Sequence, residues 1–392
     1  YIPFFVRPMK GTVSSKIAFL APTFSYYAYA NIHSLAYPDV VEALGVDVEY
    51  PVIPQDKYIM EHNLQSLYDK HTDGSGVCYS SRLRPNLSMR PKILAQEIWS
   101  GKGSPAEFNA DLHLIDWMET KGYEFDVITD EDLHFEGSDL LKDYKVIVTG
   151  VHPEYWSRQM LDYLEVYLNN GGRLMYLGGN GFYWVTTVHP ELPHVIEVRR
   201  WGGTQNWRSE PGEYYHSTTG ELGGHWRDRG RAPQKYVGVG MAAMGFDTNS
   251  PYNRLPGSFD PRVSFIFEGI GKNETIGNFD SLIMGYGAAG YELDRLDYSL
   301  GTPSHTLLLA SSASGHSDAY QHVIEESDYS DSKQGGTVNP FVRADMVYFE
   351  HLNGGAVFSV GSISWCGSLS YNNYDNNVSR ITENVLKKFS SE

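Results

Sequence analysis

Tyr144-Lys-Val-Ile-Val-Thr-Gly-Val-His-Pro-Glu-Tyr-Trp156 combines a buried strand with a polar turn, and the rest of the chain can be placed around it. Lys145–Thr149 is a short apolar run rich in β-branched residues, the pattern of a strand buried on both faces of a parallel sheet. Met160, Leu164 and Leu168 then recur at helical spacing, with Trp156 one turn earlier, so a helix follows; Asn169-Asn-Gly-Gly172 stops it with a left-handed cap. Arg173–Leu177 is the next strand, and it runs into Gly178-Gly-Asn-Gly-Phe182. Two strands and a helix make a βαβ unit, and such sheets bind ligands just beyond the carboxyl ends of their strands. That crest carries His152 and Glu154 after one strand and Asn180 after its neighbour. A base, a carboxylate and an amide converge there, without a nucleophile.

Working outward, Lys16–Leu20 is a first strand closed by Ala21-Pro22, and a tyrosine-rich turn spans Thr23–Asn31. From there to about Ser104 the pattern is irregular; so long a loop inside a compact domain is functional or disordered, and its aromatic content favours function. Asp111–Lys121 is an amphipathic helix with Leu112, Ile115 and Met118 inward and Gly122 at its end; Phe125–Ile128 is a strand. The stretch 185–263, rich in Gly, Arg, Trp and His, reads as a β-rich or looped insertion. Ser281–Tyr286, Thr306–Ala310, Met346–Phe349 and Ala356–Val360 resume the strands, with Asn353-Gly-Gly355 as a hairpin turn. Asp375 caps a last helix through Val378, Ile381, Val385 and Phe389. The expectation is an α/β sheet: a linker at 1–15, then one catalytic domain over 16–392 that includes the long loop 23–104.

Composition narrows the function. Of the 392 residues, 41% are hydrophobic and 20% charged, as in folded rather than disordered chains. No run of 18 apolar residues exists to span a membrane. A net charge of −17 argues against nucleic acid and anionic membranes as partners. Cys78 and Cys366 cannot form a disulfide framework, which fits a cytoplasmic compartment, and both read as packed thiols.

A Gly-x-Ser-x-Gly elbow is absent, and Asn180 occupies the turn where such sheets often carry a catalytic cysteine, which argues against covalent catalysis. Gly285-Tyr-Gly-Ala-Ala-Gly290 matches a dinucleotide fingerprint, but Tyr291–Asp297 and Gly301-Thr-Pro303 leave no room for the helix it needs. Those glycines instead read as allowing close backbone approach, which puts Glu292 beside a bend. No Cys-x-x-Cys pair, His-Glu-x-x-His or EF-hand loop is present. Oxygen ligands are on offer, because Glu154 faces a loop full of phenols, and tyrosinate is a hard anionic iron ligand.

Longer motifs resemble a known family. Phe19-Leu-Ala-Pro-Thr-Phe-Ser-Tyr26 with Ala28-Tyr-Ala-Asn31, Ser66–Pro85, His152-Pro-Glu-Tyr-Trp156, Leu177–Trp184, Trp226–Arg231 and Gly287–Glu292 look like the C-terminal region of N,N-dimethylformamidase large (beta) subunits, in order and over essentially the whole chain. The resemblance implies a class I glutamine-amidotransferase-like, flavodoxin-like sheet with helices on both faces and without the cysteine. It implies a small alpha subunit as partner, homo-oligomerisation of that pair, and an N-terminal half of the large subunit that is separate or missing here. It also implies a mononuclear ferric (Fe3+) centre held by two tyrosinates and a glutamate. By motif, Glu154 and Tyr68 carry over; the second phenolate lies among Tyr26, Tyr27 and Tyr29, with Tyr27 preferred, Tyr26 next and Tyr29 third. His152 then orients a water or shuttles its proton, Asn180 holds the carbonyl or the tetrahedral oxyanion, and Glu292 protonates the departing amine. Glu154 is expected at a solvent-accessible strand end. The expected activity is hydrolysis of N,N-dimethylformamide or a similar small amide to formate and dimethylamine. The other reading is a non-catalytic carbohydrate- or ligand-binding module on the same scaffold.

Overall fold

A computed structural model describes residues 4–32, 54–87, 89–90, 107–201, 207–313, 315–323 and 333–391. Parts of the expected 1–15 linker and 23–104 loop lie outside the described residues.

The apolar β-branched runs form the middle of an eight-stranded sheet among the described residues. In spatial order its strands are Asn253–Arg254, Leu307–Ser311, Asp345–Glu350, Ala356–Ser359, Arg173–Tyr176, Val146–Thr149, Ile17–Ala21 and Asp126–Thr129. The last five run parallel, with registers such as Val148 opposite Met175 and Phe19 opposite Val127, and the first three extend the sheet antiparallel. Val146–Thr149 is buried at every position, as a strand covered on both faces must be. Taken in chain order, the five parallel strands lie 2-1-3-4-5, a doubly wound order whose direction reverses between Ile17–Ala21 and Val146–Thr149. The crevice of such a sheet opens at that reversal, above the carboxyl ends.

Helix Arg158–Asn169 connects two of these strands. The Ser157 hydroxyl caps it by accepting from the Met160 N–H at 3.3 Å, and its buried face is Met160, Leu161, Leu164, Tyr167 and Leu168. Gly171 takes the left-handed turn at its end, with φ 95°. Helix Glu107–Thr120 starts earlier than expected, and its inward face is Ala110, Leu114, Trp117 and Met118, with Leu112 and Ile115 only half-buried. Trp117 and Met118 are the larger anchors, and full burial of such side chains contributes about 1.5–3 kcal/mol each.

Three expectations are corrected. Thr23–Tyr29 is a helix, not a turn, and it is buried over Thr23–Ala28. Ser281–Tyr286 is not one strand but a tight hairpin of Asp280–Ser281 and Gly285–Tyr286. Its glycines lead into an unforeseen strand, Ala289–Arg295, paired antiparallel with Gly240–Ser250. Asp375 does not cap the last helix; the Asn376 side chain, directly before Asn377–Ser391, accepts from the Ser379 N–H at 2.9 Å. Among the described residues of the expected 185–263 insertion and its border, three strands have four or more residues, Trp184–Val188, Val195–Val198 and Gly240–Ser250, with loops and short helical turns between them.

Candidate active site

Each functional side chain sits just past a parallel strand or on a segment pinned against one. Val146–Thr149 ends in Gly150-Val-His152, where the Asp111 carboxylate accepts the Val151 N–H at 2.6 Å. The chain then turns so that Glu154 is covered rather than at an accessible strand end, only 2% exposed. Its backbone N–H donates to the Ser25 hydroxyl at 3.0 Å, which ties this turn of the chain to helix Thr23–Tyr29.

Glu154 is the hub. One carboxylate oxygen, Oε2, accepts from the Tyr29 hydroxyl at 2.8 Å and from the Tyr68 hydroxyl at 3.2 Å. The other, Oε1, accepts from Trp184 Nε1 at 2.9 Å and Asn180 Nδ2 at 3.2 Å. The Tyr68 and Tyr29 hydroxyl oxygens lie 2.5 Å apart, so Tyr29 is the alternative acceptor for the single Tyr68 proton. Two phenol oxygens and a carboxylate oxygen thus lie within 3.2 Å of one another.

The structure brings Tyr29 to this point and not Tyr27 or Tyr26. Helical residues advance about 100° each, so Tyr27 and Tyr29 leave opposite faces of helix Thr23–Tyr29. The Tyr27 hydroxyl bonds Glu131, and the Tyr26 hydroxyl bonds Asp111. The spacing to Tyr68 that favours Tyr27 in the sequence does not decide which phenol points inward; the helical rotation does. Tyr68 arrives on a loop tied to the same helix, where the Leu67 N–H donates to the Ala28 carbonyl at 2.9 Å.

His152 stands between three carboxylates. Its Nδ1 lies 2.9 Å from Glu107 Oε1, and its Nε2 lies 3.0 Å from Glu292 Oε2 and 3.4 Å from Glu154 Oε2. Burial works against charge on the ring, but Glu107, Glu292 and Glu154 outweigh it and hold the His152 pKa well above the ordinary value. Burial lifts Glu154 to about 7, against the pull of His152 and Arg200. Burial and then the Glu154 charge push the Tyr29 and Tyr68 phenols well above 10, with Arg200 opposing at Tyr68. Both phenols therefore keep their protons unless a cation takes their place.

Asn180 occupies a sharp elbow after Arg173–Tyr176, with φ 48°. Asp294 braces it, accepting from the Asn180 N–H at 2.8 Å and from the Tyr176 hydroxyl at 2.7 Å. Gly179 permits the close pass of Ala289–Arg295 here, since a Cβ would stand 2.6 Å from the Glu292 carbonyl oxygen. A bulge between Ala289 and Tyr291 precedes Glu292 and aims it at His152. His152 Nε2 and Glu292 Oε2 face each other here as an ion pair at 3.0 Å, and the nearby Asn180 Oδ1 is buried without a hydrogen-bond partner among the described residues.

Glu107, Trp184, Tyr155 and Arg200 escaped the sequence reading as site residues. Trp184 lies within the Leu177–Trp184 motif and Tyr155 within His152–Trp156; Glu107 and Arg200 follow stretches without periodicity, and nothing in their neighbourhoods marks them. The cysteines stay out of the chemistry: Cys366 is buried with its thiol pKa pushed well up, and Cys78 is half-buried.

The donor set suits a hard cation. Oxygens sharing one small, hard ion by bonds of about 2.0–2.2 Å stand roughly 3 Å apart, as these three do. Two phenols whose protons serve only to bridge neighbouring oxygens can yield them to a trivalent charge. Among the described residues, no cluster of three or more His, Cys, Asp or Glu side chains is arranged to hold a metal ion.

The fold and site define a doubly wound α/β protein with a buried acid–base and phenol centre at its topological switch. The chain belongs to the N,N-dimethylformamidase beta subunit-like, C-terminal family, whose model matches residues 1–376. It is 48% identical to the N,N-dimethylformamidase beta subunit of Paracoccus aminophilus and 47% identical to that of Alcaligenes sp., over 99% of this chain in each case. The chain spans about half the length of these relatives, 50% of each. Among solved structures, a thua-like protein from Bacteroides uniformis matches 72% of this chain and 83% of its own at 12% identity and a TM-score of 0.37, too low to assign the fold.

Proposed function

We propose that this chain carries the catalytic centre of an amide hydrolase that cleaves N,N-dimethylformamide, or a similar small amide, to formate and dimethylamine. The observation that carries the reading is the convergence of Tyr29, Tyr68 and Glu154 oxygens beside the His152–Glu292 ion pair and the Asn180 side-chain amide. Tyr29, Tyr68 and Glu154 would hold a ferric ion. When bound, that ion supplies Lewis acidity, polarising a formyl oxygen and acidifying water near neutral pH.

The protein's own groups do the rest. His152, charged and clamped by Glu107 at Nδ1, presents Nε2 as the proton-bearing atom of the site. Asn180 spends one N–H on Glu154, so its open Oδ1 is an acceptor suited to orienting a water O–H. Glu292 Oε2, 3.0 Å from His152 Nε2, is placed to pass a proton to the departing amine nitrogen. Burial of His152, Glu154, Asn180 and Glu292 excludes bulk water and strengthens every charge interaction among them. We further propose an amidotransferase-like scaffold lacking its cysteine, supported by the 2-1-3-4-5 strand order and by Asn180 at the elbow. A smaller alpha subunit as partner is proposed from the relatives' name as beta subunits. Among the described residues, no helix is long and apolar enough to cross a membrane.

The test is iron analysis, visible absorption and dimethylamine release on the purified protein, alone and with its alpha subunit. About one ferric ion per chain with a phenolate charge-transfer band and turnover is expected. A colourless, iron-free protein that binds ligands without cleaving them would instead mark a binding module.

A further inference from the structure

Arg200 lies directly behind the oxygen set and is 1% exposed. Its guanidinium carbon stands 4.2 Å from the centre of the Tyr68 ring and 4.5 Å from that of Trp184. The Nη2 atom donates to the Tyr155 hydroxyl at 2.6 Å, and Tyr155 donates onward to the Tyr68 hydroxyl at 2.8 Å. Nε reaches the Leu67 carbonyl at 3.3 Å. Among the described residues, no carboxylate forms an ion pair with this guanidinium.

A buried cation without an anionic partner is costly, and the cost falls only when negative charge accumulates nearby. Both arms of Arg200 lead to such charge. One runs through Tyr155 to the Tyr68 oxygen. The other crosses the face of Trp184, whose edge N–H is bonded to Glu154 at 2.9 Å. A planar guanidinium can stack on two rings and still donate in its own plane, which an ammonium cannot.

We propose that Arg200 is a positioning residue of the centre: it holds Tyr68, Tyr155 and Trp184 in place and offsets the negative charge of the Tyr29, Tyr68 and Glu154 oxygens when they bind a cation. This role rests on the reading of those three residues as an iron-binding set.

The test compares the wild-type chain with Tyr155→Phe, Arg200→Lys and Arg200→Gln, each loaded with ferric iron alone. Three quantities are measured: the wavelength of the visible phenolate band, the iron kept under chelator challenge, and thermal unfolding of the metal-free protein. A phenolate that loses a donor and a nearby cation releases electron density more easily. The band should therefore move to longer wavelength in Tyr155→Phe and Arg200→Gln. Iron affinity should fall about 10–100-fold, the range for groups that support metal ligands, with Arg200→Lys between wild type and Gln. Tyr155→Phe keeps the ring and its packing, so it decides the matter even if Arg200→Gln fails to fold. If Arg200 merely props the Leu67 loop, its variants lower the unfolding temperature and leave the band in place, which overturns the proposal. Wild-type protein that takes up no iron rejects the iron reading and this role together; a wild-type band unmoved by the variants rejects the role of Arg200 alone.

Discussion

Tyr26, Tyr27 and Tyr29 share one helical turn and one side-chain chemistry, yet each hydroxyl meets a different carboxylate: Asp111, Glu131 and Glu154. If Tyr29, Tyr68 and Glu154 hold the proposed ferric ion, substituting each of the three tyrosines by Phe should separate them. Tyr29→Phe is expected to abolish the visible band's share from this residue and to cut activity beyond the roughly 10–100-fold typical of an outer group. Tyr26→Phe leaves the buried Asp111 short of a donor, so it should cost about 1–3 kcal/mol of stability while the iron stays. Iron content, absorption and denaturant unfolding of the three variants check this; loss of colour in Tyr27→Phe with none in Tyr29→Phe would reverse the assignment. Glu154→Gln keeps the volume but removes the anionic hub, and should leave a folded, iron-poor and inactive protein. Full iron retention there would remove Glu154 from the centre.

Elements carry those residues to their places, and two contacts between elements can be tested. Ser157 caps helix Arg158–Asn169 and meets His134 Nδ1 at 2.8 Å. Ser157→Ala should cost about 0.5–2 kcal/mol in urea unfolding, with KM unchanged, because its hydroxyl bonds His134 and the Met160 N–H and not a residue of the hub. Gly179 lets the elbow touch the strand that carries Glu292. In Gly179→Ala the new Cβ would stand 2.6 Å from the Glu292 carbonyl oxygen and 3.0 Å from the Ile363 nitrogen, both backbone atoms with little room to yield. Overpacking of this kind costs about 1–3 kcal/mol, and kcat should fall further than stability alone explains, since Asn180 and Glu292 are pushed apart. Unchanged kcat in a folded Gly179→Ala protein would show that their separation is not critical.

At the scale of the whole molecule, buried carboxylates set the response to pH. Burial raises Asp111 to about 7 in the fold, whereas an Asp in the unfolded chain titrates near 3.9. The folded form therefore binds the proton more tightly. Its stabilising effect is complete below about 4, declines as pH rises, and is gone above about 7. Asp294, also raised to about 7 by burial, adds a decline of the same sign. Asp111→Asn can still accept the Val151 N–H and donate to Tyr26 but no longer titrates. The difference in unfolding temperature between pH 5 and pH 8 should shrink in this variant, and an undiminished difference would mean that Asp111 titrates normally.

Periodicity determined what depends on neighbours along the chain. The buried β-branched run at Val146–Thr149, the helix behind it and the placement of His152, Glu154 and Asn180 beyond strand ends were legible because burial on both faces of a sheet leaves an unbroken apolar run. Glu292 was legible only as a residue beside a glycine-rich bend, because its strand pairs with Gly240–Ser250, some 45 residues away and without a clear alternating pattern. The choice of Tyr29 over Tyr27 turned on whether seven residues coil into a helix. With no polar cap and with burial on all sides, that was settled by packing against Asp111, Asp130 and Glu131 rather than by local propensity. Glu107 and Arg200 were invisible for a related reason. A buried charge is tolerated only where distant residues supply its partners, and the partners of Arg200 at Leu67 and Tyr155 lie 133 and 45 residues away. Tertiary structure alone decides which distant groups share one water-poor space.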